Sequence, residues 1–135
     1  MRINSIDHIV LTVHDVNKTC QFYTQVLGMK EITFGEGRKA LLFGSQKINL
    51  HQKGNELEPK AMHPICGSSD LCLISTNPIE EIKKELDRKQ IPTIGGILNR
   101  TGAAGPIKSI YIRDPDGNLI EISNYINRSN CIRRM

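Results

Sequence analysis

The sequence has no tryptophan, and phenylalanine and tyrosine together make up 4% of its 135 residues. Few aromatic side chains leave single-stranded nucleic acid little to stack on. Lys and Arg outnumber Asp and Glu by 18 to 14, a formal net charge of +4. The basic residues are scattered, except for Arg128, Arg133 and Arg134 in the tail. Such a balance serves solubility rather than a polyanionic partner. No stretch approaches the roughly 18 consecutive apolar residues of a membrane span. The opening MRINSIDHIV breaks its apolar residues at once with an acid and a histidine, unlike a secretory leader. The expectation is a cytoplasmic protein that binds neither nucleic acid nor membrane. CxxC pairs are also lacking. Cys20, Cys66, Cys72 and Cys131 stand apart and read as reduced thiols. Cys20 and Cys72 fall on apolar faces of predicted elements, where a thiol fills core space.

What is present is a repeated order of elements. Residues 6–13 alternate, with Ile6, His8, Val10 and Thr12 on one face and Asp7, Ile9, Leu11 and Val13 on the other. Asp15 caps a helix whose stripe is Val16, Cys20, Tyr23 and Leu27, widened by Phe22 and Val26 and stopped by Gly28. Strands are expected over 30–34, 39–43 and 47–52, with turns at Gly35 and Gly37 and at Gly44 and Ser45. Residues 53–69, with two prolines and two glycines, read as a linker crossing the surface. The pattern then restarts with a strand over 71–75. Asn77-Pro78-Ile79-Glu80 reads as a helix start, with Asn77 as N-cap and Glu80 closing a capping box. Ile79, Ile82 and Leu86 form that helix's stripe. A strand over 91–94, a glycine-rich loop over 95–105 and strands over 109–113 and 118–125 follow. The last two are joined by the tight turn Asp114-Pro115-Asp116-Gly117.

The order is βαβββ, linker, βαβββ, at a period of about sixty residues, too long for a solenoid. The fold class is α+β. The two βαβββ modules are expected to form a curved, open, barrel-like mixed sheet around a cavity. A single domain fills residues 1–135: module one at about 3–52, linker 53–69, module two at about 70–125, and a frayed tail over 126–135. Residues 5–11 align with 67–73, and 47–51 with 119–123.

That alignment makes four polar strand residues equivalent in pairs: His8 with Asp70, and Asn49 with Glu121. A bare carboxylate in the middle of Leu-Ile-Glu-Ile-Ser is costly to bury. His51 follows Asn49 by two residues and shares its face. Taken singly, His8 suits a structural histidine, and Glu121 suits a partner to a core Arg or Lys. Together, at matching places in two duplicated units, His8, Asp70, Glu121 and either Asn49 or His51 point to a metal centre between the halves. Mixed imidazole and carboxylate donors suit Mn, Fe, Ni or Zn. His14 and His63 lie in expected loops and read as solvated.

Three segments carry a resemblance: Asp-His-Ile-Val-Leu-Thr-Val (7–13), Phe-Tyr-Thr-Gln-Val-Leu-Gly-Met (22–29) and Asp-Pro-Asp-Gly-Asn-Leu-Ile-Glu-Ile-Ser (114–123). Over about residues 3–125 the chain resembles the vicinal oxygen chelate superfamily of glyoxalase I, fosfomycin-resistance proteins, extradiol dioxygenases and bleomycin-binding proteins. Residues 38–41, 47–51, 58–61 and 100–103 resemble, more narrowly, the subfamily of glyoxalase domain-containing protein 5 and its bacterial relatives. The resemblance implies metal ligands at His8 and Glu121, the latter also an acid and base in proton transfer. It puts a further ligand at Asp70, a histidine in many members, and Asn49 where glyoxalase I has a glutamate. A two-histidine iron site would draw on His51. Family members pair sheets across chains and sometimes exchange halves. A homodimer is therefore expected, and uncovered sheet edges point the same way.

The sequence is compatible with two functions. One is a metalloenzyme acting on a small substrate with vicinal oxygens, by lactoylglutathione-lyase-like isomerisation or related lyase or transferase chemistry. Its catalytic residue is Glu121, its cofactor a divalent ion of Mn, Ni, Zn or Fe, and its substrate contacts Asn49, Arg38, Arg100, Lys108 and Tyr111. The basic three either hold an anionic group or are ordinary surface charge. The 99–108 segment reads as a mobile flap or backbone anion nest, or as a plain surface loop. The other function is metal-free sequestration of a small toxic molecule. That role calls for an aromatic groove, and the chain offers only Phe22, Phe34, Phe43, Tyr23, Tyr111 and Tyr125.

Overall fold

Alternation along the first strand, β1 (His8–Val13), buries Leu11 and Val13 and leaves His8 and Val10 exposed on the opposite face. The computed structural model describes residues 1–126. Cys131, the Arg128, Arg133 and Arg134 cluster and all but the first residue of the expected frayed tail lie outside the described residues. Helix α1 (Val16–Gln25) begins where Asp15 was expected to cap it, the carboxylate accepting the Lys18 N–H at 3.1 Å. Gly28, at φ +69°, turns the chain out of the helix into β2 (Lys30–Phe34). Strands β3 (Arg38–Phe43) and β4 (Gln46–Gln52) complete a sheet in the order β1-β4-β3-β2. Within it β1 runs parallel to β4, and the other pairs are antiparallel. Val13, Leu41 and Ile48 of this sheet are fully buried, as is Tyr23 of α1.

The second half repeats the arrangement. Strand β5 (Asp70–Ile74), helix α2 (Ile79–Arg88) and strands β6 (Leu98–Gly102), β7 (Gly105–Arg113) and β8 (Leu119–Tyr125) follow in chain order. Their sheet order is β5-β8-β7-β6, again with one parallel and two antiparallel pairs. The fold is therefore α+β, with two four-stranded mixed sheets that do not close. The expected internal alignment holds at the level of strand register. His8 lies opposite Lys47 and Val10 opposite Asn49, just as Asp70 lies opposite Leu119 and Cys72 opposite Glu121. The chain divides into two compact units. Unit 1 is Met1–Ser69 with Asp114–Asn118, and unit 2 is Asp70–Arg113 with Leu119 onward. Among the described residues no helix is long and apolar enough to cross a membrane.

Four local expectations are corrected. Asn77 does not cap α2: Pro78 occupies the cap position, without a side-chain cap bond of its own. The cap comes instead from β8, where the Asn124 side-chain oxygen accepts the Ile79 N–H at 2.6 Å. The same amide donates to the Ser75 and Asn77 carbonyls at 3.1 and 2.9 Å. Residues 91–94 are not a strand. The Ile91 N–H is spent on the Leu86 carbonyl at the helix end, and Pro92 has no donor to give a ladder. Residues 99–108 are neither flap nor loose loop but most of the β6–β7 hairpin, turning at Ala103 and Ala104. Its small residues permit close approach: a Cβ on Gly102 would sit 3.0 Å from the Tyr125 hydroxyl, which accepts the Ala104 N–H at 3.1 Å. Cys72, finally, is exposed rather than core, because it faces the same side as Asp70 and Ile74.

Candidate functional site

In unit 1 the polar strand residues share one sheet face. His8 opens β1, its side chain 44% exposed, with Nδ1 2.8 Å from the Asp7 carboxylate. That contact leaves Nε2 available to another partner. Asn49 and His51 stand two residues apart on β4, 5% and 8% exposed. Among the described residues the buried Asn49 side-chain oxygen meets no hydrogen-bond donor, a gap that native interiors rarely leave. Arg38 stacks over the Phe34 ring at 4.6 Å, and Lys47 lies 4.3 Å from the same ring centre.

The expected surface linker is part of this face. Residues 59–61, 63–65 and 68–69 of it border a cleft of about 580 Å³ together with the strands. Val10, Thr12 and His51 line it from β1 and β4, and Pro59, His63 and Ile65 from the linker. Thr12 and the linker residues were not anticipated. Two prolines close to a histidine are a weak sequence signal for a structured cover.

Burial, and next the Arg38 guanidinium, hold the His51 imidazole below its ordinary pKa of 6.5. His51 is therefore neutral at neutral pH, the form able to bind a metal or accept a proton. The sign for stability follows from linkage. Below pH 6.5 the unfolded chain takes up this proton more readily than the folded protein, so stability is lost as pH falls. His51→Gln is expected to flatten that loss. Melting temperatures of both proteins between about pH 8 and about pH 5 measure it, and parallel curves would refute it.

In unit 2, Glu121 sits mid-β8 opposite Cys72 and Tyr111. The Ser109 hydroxyl donates to its carboxylate, and the Ser123 hydroxyl lies 3.5 Å from the same oxygen. Ser109 and Ser123 are themselves 2.7 Å apart, and the Cys72 sulfur lies 3.4 Å from Ser123. Among the described residues no Lys, Arg or His forms an ion pair with Glu121. The core Arg or Lys partner considered from sequence is not found. Arg100 donates from Nε to the Tyr111 hydroxyl at 3.1 Å. Asp70 is exposed at the start of β5. Lys108 requires correction: it pairs with Asn124 and alternates to the opposite face of β7 from Ser109 and Tyr111. The two buried serines were missed, although Ser123 aligns with His51 in the repeat.

A third cluster was not foreseen. The His14 backbone N–H and its Nδ1 lie 3.0 and 2.6 Å from one Asp116 oxygen. His14 is thus anchored rather than merely solvated, whereas His63 is exposed as expected. Ligand atoms of His14, Cys66 and Asp116 all lie within 4.8 Å of one another.

The chain is 56% identical over 126 residues to virulence protein STM3117 of Salmonella typhimurium, covering 93% of this chain and 88% of that protein. The crystal structure of STM3117 superposes with a TM-score of 0.92, covering 93% of this chain and all of that one. It is also 56% identical over 125 residues to glyoxalase domain-containing protein RDO1 of Mycosarcoma maydis, covering 93% of this chain and 70% of that protein. Identity to metallothiol transferase FosB of Staphylococcus epidermidis is 29% over 122 residues, covering 90% and 82%. Residues 5–122 match the profile described as the Glyoxalase/Bleomycin resistance protein/Dioxygenase superfamily, and the chain belongs to that superfamily.

Proposed function

We propose that this protein is a metal-dependent enzyme of the glyoxalase-like type, acting on a small substrate with two adjacent oxygens. The observation that carries the reading is Glu121, a half-buried carboxylate set mid-sheet against two serine hydroxyls, with no ion-pair partner among the described residues. A carboxylate so placed is open to a divalent ion as counter-charge. His8 and Glu121 would hold the ion, with Asp70 and His51 as further ligands. Imidazole with carboxylate suits Mn, Ni, Zn or Fe. The ion would contribute Lewis-acid polarisation of the substrate oxygens. Kinship to FosB, a metallothiol transferase, supports metal chemistry. Kinship to RDO1 supports the narrower glyoxalase-domain reading.

The chain's own residues have separate tasks in this reading. Glu121 takes a proton from the substrate and returns it, with Ser109 and Ser123 fixing the carboxylate's orientation. Arg100, steered by the Tyr111 hydroxyl, and Arg38, stacked on Phe34, hold an anionic portion of the substrate. The unpartnered Asn49 oxygen accepts from a substrate hydroxyl or amine. Lys108 has no part in it. The working form is a cytoplasmic homodimer, as family kinship suggests. Metal analysis of protein purified with neither added metal nor chelator tests the proposal, run beside His8→Ala. Stoichiometric metal that His8→Ala removes supports it. Equal metal content in the two proteins, whether none or some, overturns it.

A further inference from the structure

The Asp116 side chain is only 2% exposed, and among the described residues its ion partner is His14, whose side chain is 61% exposed. A carboxylate so enclosed must be hydrogen-bonded or balanced, and the donors that reach it are the His14 backbone N–H and imidazole. Cys66 brings a thiol to the same point. We propose that His14, Cys66 and Asp116 form a second metal site, for a thiophilic divalent ion of the zinc class, with one position open to solvent beside His14.

The donor set selects the ion. Imidazole, thiolate and carboxylate together suit a borderline-soft ion, whereas magnesium and calcium take oxygen donors. Three protein ligands with an open fourth position also match the way zinc is held when it retains a water. Binding displaces the Cys66 proton to solvent. Burial, and then Asp116, push the free Cys66 thiol above its ordinary range. A nucleophilic Cys-His-Asp triad needs the opposite shift.

The backbone is already in place for such a site. His14 follows β1, Cys66 lies in the linker and Asp116 in the β7–β8 turn, and all three belong to unit 1. The Gln52 side chain donates to the His14 carbonyl and accepts the Val16 N–H. Asp116 N–H is held by Asp114 at 2.9 Å, and Ser69 N–H by the Asn118 side chain at 2.8 Å. Gly67, one residue past Cys66, adopts φ +79°, and a Cβ there would lie 2.4 Å from the Asp116 carbonyl. Only this backbone lets the linker rest directly on the turn. The 2.6 Å from His14 to Asp116 is a hydrogen bond, shorter than the roughly 3.3 Å between two ligand atoms of a tetrahedral ion. Rotation of the exposed imidazole opens that gap.

The proposal is independent of the Glu121 reading, and cobalt(II) titration of the full chain tests it. Tetrahedral cobalt bound by one thiolate shows a near-ultraviolet sulfur-to-cobalt charge-transfer band with visible d–d bands. In Glu121→Gln the charge-transfer band is expected to saturate at one equivalent per chain, and in the unsubstituted protein to reach the same final amplitude. Cys66→Ser should abolish it at an unchanged melting temperature. His14→Ala, altering an exposed side chain, should weaken cobalt binding at least tenfold. Absence of the band, its persistence in Cys66→Ser, or unchanged affinity in His14→Ala would each overturn the site.

Discussion

Glu121→Gln is expected to remove one equivalent of bound divalent metal per chain, with the activity, while stability changes by about 1 kcal/mol or less. The substitution keeps shape and deletes charge. With the amide oxygen in place of the carboxylate oxygen that both serines face, the Ser109 hydroxyl can still donate to it, and the half-buried amide nitrogen takes the other position. No Lys or Arg is stranded, because among the described residues none pairs with this carboxylate. A glutamate anchored in a buried salt bridge would behave in the opposite way, losing about 3–5 kcal/mol when its partner is left unpaired. Loss of a general base together with its metal should reduce turnover by a factor of at least about 100. Metal content and thermal melting, measured on the same preparation in a Cys66→Ser background, keep the Glu121 centre separate from the His14 cluster. Full metal with a collapsed melting temperature would make Glu121 a structural acid.

Much of this architecture is legible in the sequence because its elements are local. Residues 30–34 alternate between glycine-bounded turns, and β2 spans Lys30–Phe34 as expected. Asp15 caps α1 through its own side chain. Where long-range contacts decide, local patterns mislead. Asn77 has the look of an N-cap, but the cap is delivered from Asn124, 47 residues along the chain. Leu-Asn-Arg-Thr-Gly has little intrinsic preference for a strand, and pairing with β7 makes β6 of it. Candidate ligands showed a similar division. His8, Asp70, Asn49 and Glu121 stood out as polar interruptions at equivalent positions of a duplicated strand pattern. Ser109 and Ser123 did not, since a serine raises no alarm in a strand. His14, Cys66 and Asp116 come from three connecting segments, and no spacing rule joins residues 102 apart in sequence.

Asp114→Ala should cost unit 1 about 4 kcal/mol, toward the upper end for a single substitution. The turn Asp114-Pro115-Asp116-Gly117 is more than a hairpin corner, because the Asp114 carboxylate is a buried acceptor for four donors. One oxygen takes the backbone N–H groups of Asp116 and Asn118, each at 2.9 Å. The other takes the Tyr23 hydroxyl at 2.7 Å and the Asn118 side-chain amide at 2.8 Å. Hydrogen bonds to a charged acceptor contribute about 1.5–3 kcal/mol each, and a stranded buried donor adds its own desolvation cost. Tyr23 is that donor. It is fully buried, and burial followed by the Asp114 charge pushes its ionisation far above the ordinary range, so it remains a donor at every working pH. Tyr23→Phe deletes the donor without orphaning it, leaves Asp114 three of its four partners and should cost about 1.5 kcal/mol. Combining the two substitutions should recover part of the Asp114→Ala loss, since no hydroxyl then remains unsatisfied. Urea unfolding of the four proteins reads the coupling. A cost below about 1 kcal/mol for Asp114→Ala would mean that water replaces the carboxylate at no great penalty. The proposed metal site should feel the same change. Asp116 is held through Asp114, so loosening the turn without touching His14 or Cys66 should weaken cobalt binding in proportion to the stability lost.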